Sequence, residues 1–371
     1  MIGLEGVLLP DARRYLEDAV GQGRIPGAQV HVSRRGQVVW HEALGAARVD
    51  PVPHPLSLAT RFDVASLTKA LSTATLAALL VGEGQLGLDE RLSDFYPATK
   101  GTARGRITVR HLLAHASGLP AYRPYYLELG EADAATARTA IVHRILAEPL
   151  ASSPGARQCY SDLDFILLGE MLVHRLGIPL EKAFDQRIAH PLALGAGFRR
   201  VEGGGQDAAD SSEFAATEHC PWRKQTLCGA VHDDHAWLMG GAAGHAGLFA
   251  TAAEVNAVTA QWLAAWHGRD SLLAPDVVRR FWERFDREDP AQTWALGWDT
   301  PSPAGSTAGT LFSTPSVGHL GFTGTSVWVD IPREIIVVLL TNRIHPTRDN
   351  LVMKTFRPAF HEQVMRALID S

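Results

Sequence analysis

Ser66 stands three residues before Lys69 in FDVASLTKALSTATLAALLVGEG, so on a helix the hydroxyl and the amine share one face. A serine at the opening of that helix would lie where unpaired N–H groups and the dipole favour developing negative charge. A desolvated lysine can release its proton near neutral pH and accept the serine's, which lets a Ser–Lys pair act as a nucleophile without histidine. The spacing alone fits an N-capped helix with a surface lysine equally well. Other parts of the chain must decide.

Two further stretches supply candidates. PGARQCYSDLDF places Tyr160 at the close of a Pro-Gly loop just before a helix, where a phenol can be held out into a cleft. VGHLGFTGTSVWVD places His319, Leu320 and Gly321 on an apparent strand, with Gly321 letting a substrate backbone approach. If that strand lies at a sheet edge, its free N–H groups can receive an oxyanion or an extended substrate. No G-x-S-x-G elbow and no H-E-x-x-H pair occurs, which removes two common hydrolase plans.

These pieces resemble the serine β-lactamase and penicillin-binding protein family, most of all its class C and DD-peptidase/esterase branch. The resemblance rests on FDVASLTK, LLAHASGLP, PGARQCYSDL, GHAGLFATAAEV and VVLLTNRIHPTRDN, and it covers nearly the whole chain. It implies that Ser66 is the acylated nucleophile, Lys69 its base or proton shuttle, and Tyr160 a second proton-transfer group. It places His319 where the family has the lysine of K-T-G, and builds an oxyanion hole from the N–H groups of Ser66 and Phe322. It implies no cofactor and no metal.

Two positions depart from the family pattern. Tyr160-Ser161-Asp162 stands where Y-x-N is usual, and an ionised Asp162 cannot donate the amide hydrogen bond that asparagine offers a substrate carbonyl. Asp162 beside Lys69 would also favour the charged lysine unless burial or Tyr160 compensates. His319 replaces a permanent cation with a group only partly charged at neutral pH, which weakens attraction for a substrate carboxylate. Esters tolerate both losses better than penicillins, so esterase-type activity is expected over β-lactamase activity. D-alanyl-D-alanine carboxypeptidase, class C β-lactamase and a non-catalytic ligand-binding protein are the alternatives.

The elements that must position these residues read as an α/β chain, in the α+β sense. Residues 11–22 show amphipathic helical periodicity, and AQVHVSRRGQVVWHEALG predicts a hairpin turning at Arg35-Gly36. TSVWVDIPREIIVVLLTN repeats the hairpin pattern around Ile331-Pro332-Arg333, and a helical tail follows from about Lys354 to Ile369. The expected fold is an antiparallel sheet flanked by terminal helices, drawn from 1–100 and 240–371, with a mainly helical insertion at 101–239 and the cleft between them. The Gly82–Gly87 match to a dinucleotide fingerprint follows a helix instead of a strand and reads as a helix stop.

Composition sets the outer limits. The 371 residues carry a formal charge of −5, with 46% hydrophobic and 20% charged side chains and no basic tract, which argues for a compact enzyme and against nucleic-acid binding. The partner expected is a small-molecule substrate, and the oligomeric state is not indicated. Three cysteines, Cys159, Cys220 and Cys228, read as free thiols. His219, Cys220, Cys228, His232, Asp233, His235 and His245 crowd one region, but their spacing fits no familiar zinc pattern. They are expected to shape the cleft floor, with His232 and Asp233 bonded to each other or to backbone. No signal peptide or membrane span is visible, so a cytoplasmic location is expected, or a periplasmic one for a trimmed N-terminus.

Overall fold

In a computed structural model, which describes residues 9–130, 132–200 and 211–369, eleven strands alternate with helices. The strands are β1 (Gly27–Arg34), β2 (Gln37–Arg48), β3 (His54–Pro55), β4 (Phe62–Asp63), β5 (Gly197–Phe198), β6 (Ala216–Cys220), β7 (Gln225–Cys228), β8 (Leu248–Ala250), β9 (Ser316–Leu320), β10 (Ser326–Asp330) and β11 (Ile335–Thr341). The main sheet is antiparallel in the order β3-β2-β1-β11-β10-β9, so β9 is an edge strand.

Local chemistry explains the hairpins. Arg35 and Gly36 join β1 to β2, and both take positive φ, 51° and 76°, as a two-residue turn matched to strand twist requires. β11 reads as the unbroken apolar run Ile335 to Leu340 because both of its faces are covered. On one face Val337 and Leu339 join Val30, Val32, Leu16, Phe356 and Phe360, under the N-terminal helix Pro10–Gly21 and the C-terminal helix Met353–Ile369. On the other, Ile336, Val338 and Leu340 face the larger core shared with the helices Thr75–Gly82, Asp162–Leu176 and Ala252–Trp266.

The stretch between the two halves of the sheet holds the helices Ala134–Ala147 and Asp162–Leu176, and also the short hairpin β6-β7. A small sheet in the order β4-β8-β5 ties it to the rest. Gly82 ends its helix and Gly84 turns at φ 69°, so the fingerprint match is a helix stop. All three cysteines are free thiols. Among the described residues no helix is long and apolar enough to cross a membrane.

Candidate active site

The nucleophile turn is built from the end of β4. The buried Asp63 carboxylate accepts from the Ala65 N–H at 2.8 Å through Oδ1 and from the His232 N–H at 2.6 Å through Oδ2. This closes a tight turn that holds Ala65 at φ 49°, a conformation that costs a non-glycine residue about 1 kcal/mol or more. Ser66 follows, partly exposed among buried neighbours, and the chain then enters a helix.

That helix opens as a π-helical segment, Lys69–Ala74, before becoming regular at Thr75–Gly82. The Thr75 hydroxyl donates to the Ala70 carbonyl five residues back at 2.9 Å and accepts from Trp262 Nε1 at 3.0 Å. Widened turns of this kind recur at functional sites. Here Lys69 is completely buried.

Lys69 Nζ lies 3.1 Å from Ser66 Oγ, 2.7 Å from Tyr160 Oη, 2.7 Å from Asp162 Oδ1 and 3.4 Å from the His245 carbonyl. An ammonium has three protons to offer, so four acceptors more than saturate it. Burial is the largest single influence on Lys69 and pulls its pKa down. The negative charge of Asp162, helped by Tyr160, outweighs it, and the net pKa lies above the ordinary lysine value. Burial raises the Tyr160 pKa, with Lys69 opposing. At neutral pH the resting site therefore holds an ammonium and a phenol.

Tyr160 is set by its surroundings. Ser161 caps the helix Asp162–Leu176 by accepting from the Asp164 N–H, and its own N–H donates to His115 Nδ1 at 3.1 Å. The His115 and Trp294 rings pack on the phenol with centroids 4.6 and 5.2 Å away. Asp162 falls in the first helical turn, where the dipole favours its carboxylate and its side chain reaches Lys69.

The oxyanion side comes from the β9–β10 turn. Thr323 Oγ1 donates to the Asp63 carbonyl at 2.8 Å and Thr325 Oγ1 to the Val64 carbonyl at 3.0 Å, fastening this turn to the nucleophile turn. Among the described residues neither the Ser66 nor the Phe322 N–H has a partner in the protein. Phe322 is 48% exposed, and its ring stacks on His232.

Gly321 has a different reason from the one expected. A Cβ there would lie 2.5 Å from the Val64 carbonyl oxygen and collide with Thr325, so glycine allows the two turns to meet, beyond any room it leaves for substrate. Gly321 itself lies just past the end of β9. His319 also departs from expectation. Burial, with Lys69 adding to it, pulls its pKa to about 3, and Nδ1–H donates to the Leu320 carbonyl at 2.8 Å. The imidazole is neutral, not partly charged.

These residues face a cleft of about 780 Å³ whose walls include Tyr122, Tyr126, Trp294, Phe322 and Leu351. Its arginines are engaged by the protein. Arg343 donates to the Phe322 carbonyl at 2.6 Å through Nη2, Arg357 to the Gly321 carbonyl at 2.6 Å, and Arg348 pairs with Glu218. His232 and Asp233 do not bond each other: His232 Nε2 lies 3.1 Å from Glu218 Oε1, and Asp233 lies 2.8 Å from His245 Nε2 and accepts from the Ala236 N–H.

Sequence reasoning brings Ser66, Lys69, Tyr160, Asp162, His319, Gly321 and Phe322 to one cleft; six of them line it, and Lys69 lies buried beneath, in contact with Ser66, Tyr160 and Asp162. It misses Asp63, His115, Trp294, Arg343 and Arg357, whose contacts are nearly all with partners far away in the sequence. Asp63, His115 and Arg343 left a trace, inside FDVASLTK, LLAHASGLP and VVLLTNRIHPTRDN, but no role was read from their types.

Comparisons with known proteins extend over nearly the whole chain. An Escherichia coli K12 protein provisionally named a D-alanyl-D-alanine carboxypeptidase is 29% identical over 358 residues, covering 90% of this chain and 81% of its own length. Among solved structures, EstCE1, described as a hydrolase with promiscuous acyltransferase activity, superposes with a TM-score of 0.74 at 23% identity, covering 97% of this chain and 98% of its own. Simvastatin synthase (LovD) from Aspergillus terreus gives 0.74 at 19% identity, covering 98% and 99%. These two likenesses speak to the fold alone. The model of the Beta-lactamase family matches residues 12–360, and so the chain belongs to that family and is a serine hydrolase of the β-lactamase fold.

Proposed function

We propose that this protein cleaves small carboxylic esters through an acyl-enzyme on Ser66, with esters preferred over β-lactams and D-amino-acid amides. The observation that carries the reading is the contact of Lys69 Nζ with both Ser66 Oγ and Tyr160 Oη, facing two unpaired backbone N–H groups.

The working form has Lys69 as the free amine. Ser66 Oγ attacks the carbonyl carbon while its proton passes to Lys69, and the oxyanion is received by the N–H groups of Ser66 and Phe322. Collapse breaks the bond to the leaving oxygen, which takes a proton from Tyr160, and Lys69 restores the phenol. Water then enters and gives a proton to the same pair as its oxygen adds to the acyl carbon, and collapse breaks the bond to Ser66 Oγ, which takes that proton back as the acid leaves.

The preference for esters is supported by what the site lacks. Asp162 is an acceptor held by Lys69 and offers no amide donor, and His319 carries no charge for a substrate carboxylate. The apolar walls of the cleft suit an aliphatic or aromatic acyl group. The name of the Escherichia coli relative favours a second reading, removal of a terminal D-alanine from a peptide.

Steady-state hydrolysis of a chromogenic short-chain ester, a chromogenic cephalosporin and a D-alanyl-D-alanine peptide tests both readings, with Ser66→Ala in parallel. Ester turnover that exceeds the others and vanishes in the variant is the expected result. Peptide release without ester turnover would favour the carboxypeptidase. Absence of turnover and of covalent labelling at Ser66 would mean a binding protein.

A further inference from the structure

The region between His219 and His245 holds a cluster that the acyl-enzyme chemistry does not use. Asp233, His235 and His245 each bring one ligating atom to a common point, with all three atoms within 4.8 Å of one another. Asp233 Oδ1 is already 2.8 Å from His245 Nε2. His235 is fully buried beside Tyr122, Tyr125 and Tyr126, and neither of its ring nitrogens has a hydrogen-bond partner. The Arg123 backbone faces it without completing a bond.

A buried imidazole nitrogen left unpaired costs about 1–3 kcal/mol, so a ligand that engages it is favoured. Asp233 and His245 line the same cleft as Ser66, and His235 lies fully buried behind them. We propose that Asp233, His235 and His245 form a binding site for one divalent transition-metal ion of the zinc class, on the cleft wall beside the Ser66–Lys69–Tyr160 group.

The donor set fits. Two imidazoles and one carboxylate suit zinc, cobalt or iron(II) far better than calcium or magnesium, which favour all-oxygen sites. Bonds of about 2.0–2.2 Å around a tetrahedral ion place ligand atoms about 3.4 Å apart. The Asp233–His245 separation must open slightly and His235 must move inward by about an ångström. The Arg123 backbone is placed to take the second ring N–H of His235, as an outer partner does in metal sites, whereas His245 Nδ1 has none. With the outer shell half complete, affinity should be weaker than in fully supported sites by about tenfold or more.

Chelator-treated protein is titrated with Zn²⁺ by calorimetry and, separately, with Co²⁺ while visible absorption is followed. One ion per chain is expected, with Co²⁺ bands of a four- or five-coordinate nitrogen-oxygen site. His235→Ala should weaken uptake by about tenfold or more. His219→Ala, at an exposed histidine outside the cluster, should leave it unchanged. The His235 ring makes no hydrogen bond to the Asp233 cap of the helix Asp234–Leu238, so replacing it with alanine leaves that cap in place. No uptake by the unaltered protein, a Co²⁺ spectrum like that of the free aquo ion, or equal uptake by His235→Ala would each overturn the proposal. The measurement contains no substrate, so it stands or falls separately from the serine reading.

Discussion

Replacing Asp162 with asparagine separates the two effects this carboxylate has on the site. Asp162 Oδ1 lies 2.7 Å from Lys69 Nζ. At an effective dielectric constant of about 20 the bare attraction is about 6 kcal/mol, an upper bound that the partial exposure of Asp162 reduces. The usual consequence of an adjacent opposite charge is a displacement of about 1–3 pH units. Without that charge, burial, already the largest influence on Lys69, would pull its pKa down opposed by Tyr160 alone.

The sign follows directly. Lys69 is held above its ordinary value, so the free amine that the reaction needs is scarce at neutral pH and grows as pH rises. Asp162→Asn should move the acid limb of kcat/KM for an ester down by about 1–3 pH units, raising activity at neutral pH by about tenfold or more while the alkaline plateau stays put. Since the amine serves every substrate alike, that gain should be common to all. A change in the ratio of cephalosporin or peptide to ester activity reports the new amide donor separately, and should favour the amides. The assay is a pH profile of kcat/KM for ester and cephalosporin with both proteins. An acid limb that does not move, or activity lost at every pH, would refute the reasoning and make Asp162 a participant in proton transfer.

Gly321→Ala should push the β9–β10 turn off the Val64 carbonyl and lower kcat by about 10²-fold, the usual cost of losing one oxyanion donor, with a smaller loss in Tm; unchanged kcat would remove the packing argument. Arg357→Gln keeps an amide near the Gly321 carbonyl but removes the charge, and should lower kcat by about tenfold with KM nearly constant; a change in KM alone would make Arg357 a substrate-binding group. Burial lowers the pKa of His361 to about 4, so the unfolded chain binds a proton that the folded chain refuses between that value and 6.5. Stability from this group is present above 6.5 and lost as pH falls, by about 2 kcal/mol at pH 5, so urea unfolding should show His361→Gln losing less stability than the unaltered protein from pH 7 to 5.

Local signals carried well into the structure. The turn at Arg35-Gly36, the S-x-x-K face and Tyr160 just ahead of a helix depend on residues within four positions of one another, and each has the expected form. The edge position of β9 is a fact of topology that the residues of that strand do not fix. What stayed hidden is held by distant partners. Asp63 joins Ala65 to His232 across 169 positions, and Lys69 meets Asp162 across 93. Neutral His319 could not be read from its type, because the shift comes from burial beside Lys69. The crowding of Asp233, His235 and His245 was visible, but the convergence of their ligating atoms was not, since it depends on the loop after the helix Asp234–Leu238 turning back.

The position of positive charge also follows from these contacts. With His319 neutral, the site has no cation on β9 to greet the oxyanion or a substrate carboxylate. The guanidinium of Arg357, buried under the sheet, donates at 2.6 Å to the Gly321 carbonyl, and that carbonyl belongs to the same peptide group as the Phe322 N–H. A charged donor on the oxygen of an amide polarises it and strengthens its N–H as a donor. Burial and the nearby Arg343 lower the Arg357 pKa to about 9, which still leaves it charged at neutral pH. The Ala65 carbonyl, which shares its peptide group with the Ser66 N–H, likewise accepts from the Thr68 N–H at 3.0 Å. Both oxyanion donors are thus strengthened from behind. The charge that acts on the oxyanion reaches it through a peptide bond, so it favours the transition state of any acyl transfer without placing a cation on β9 for a substrate carboxylate, and this supports the proposed preference for neutral esters.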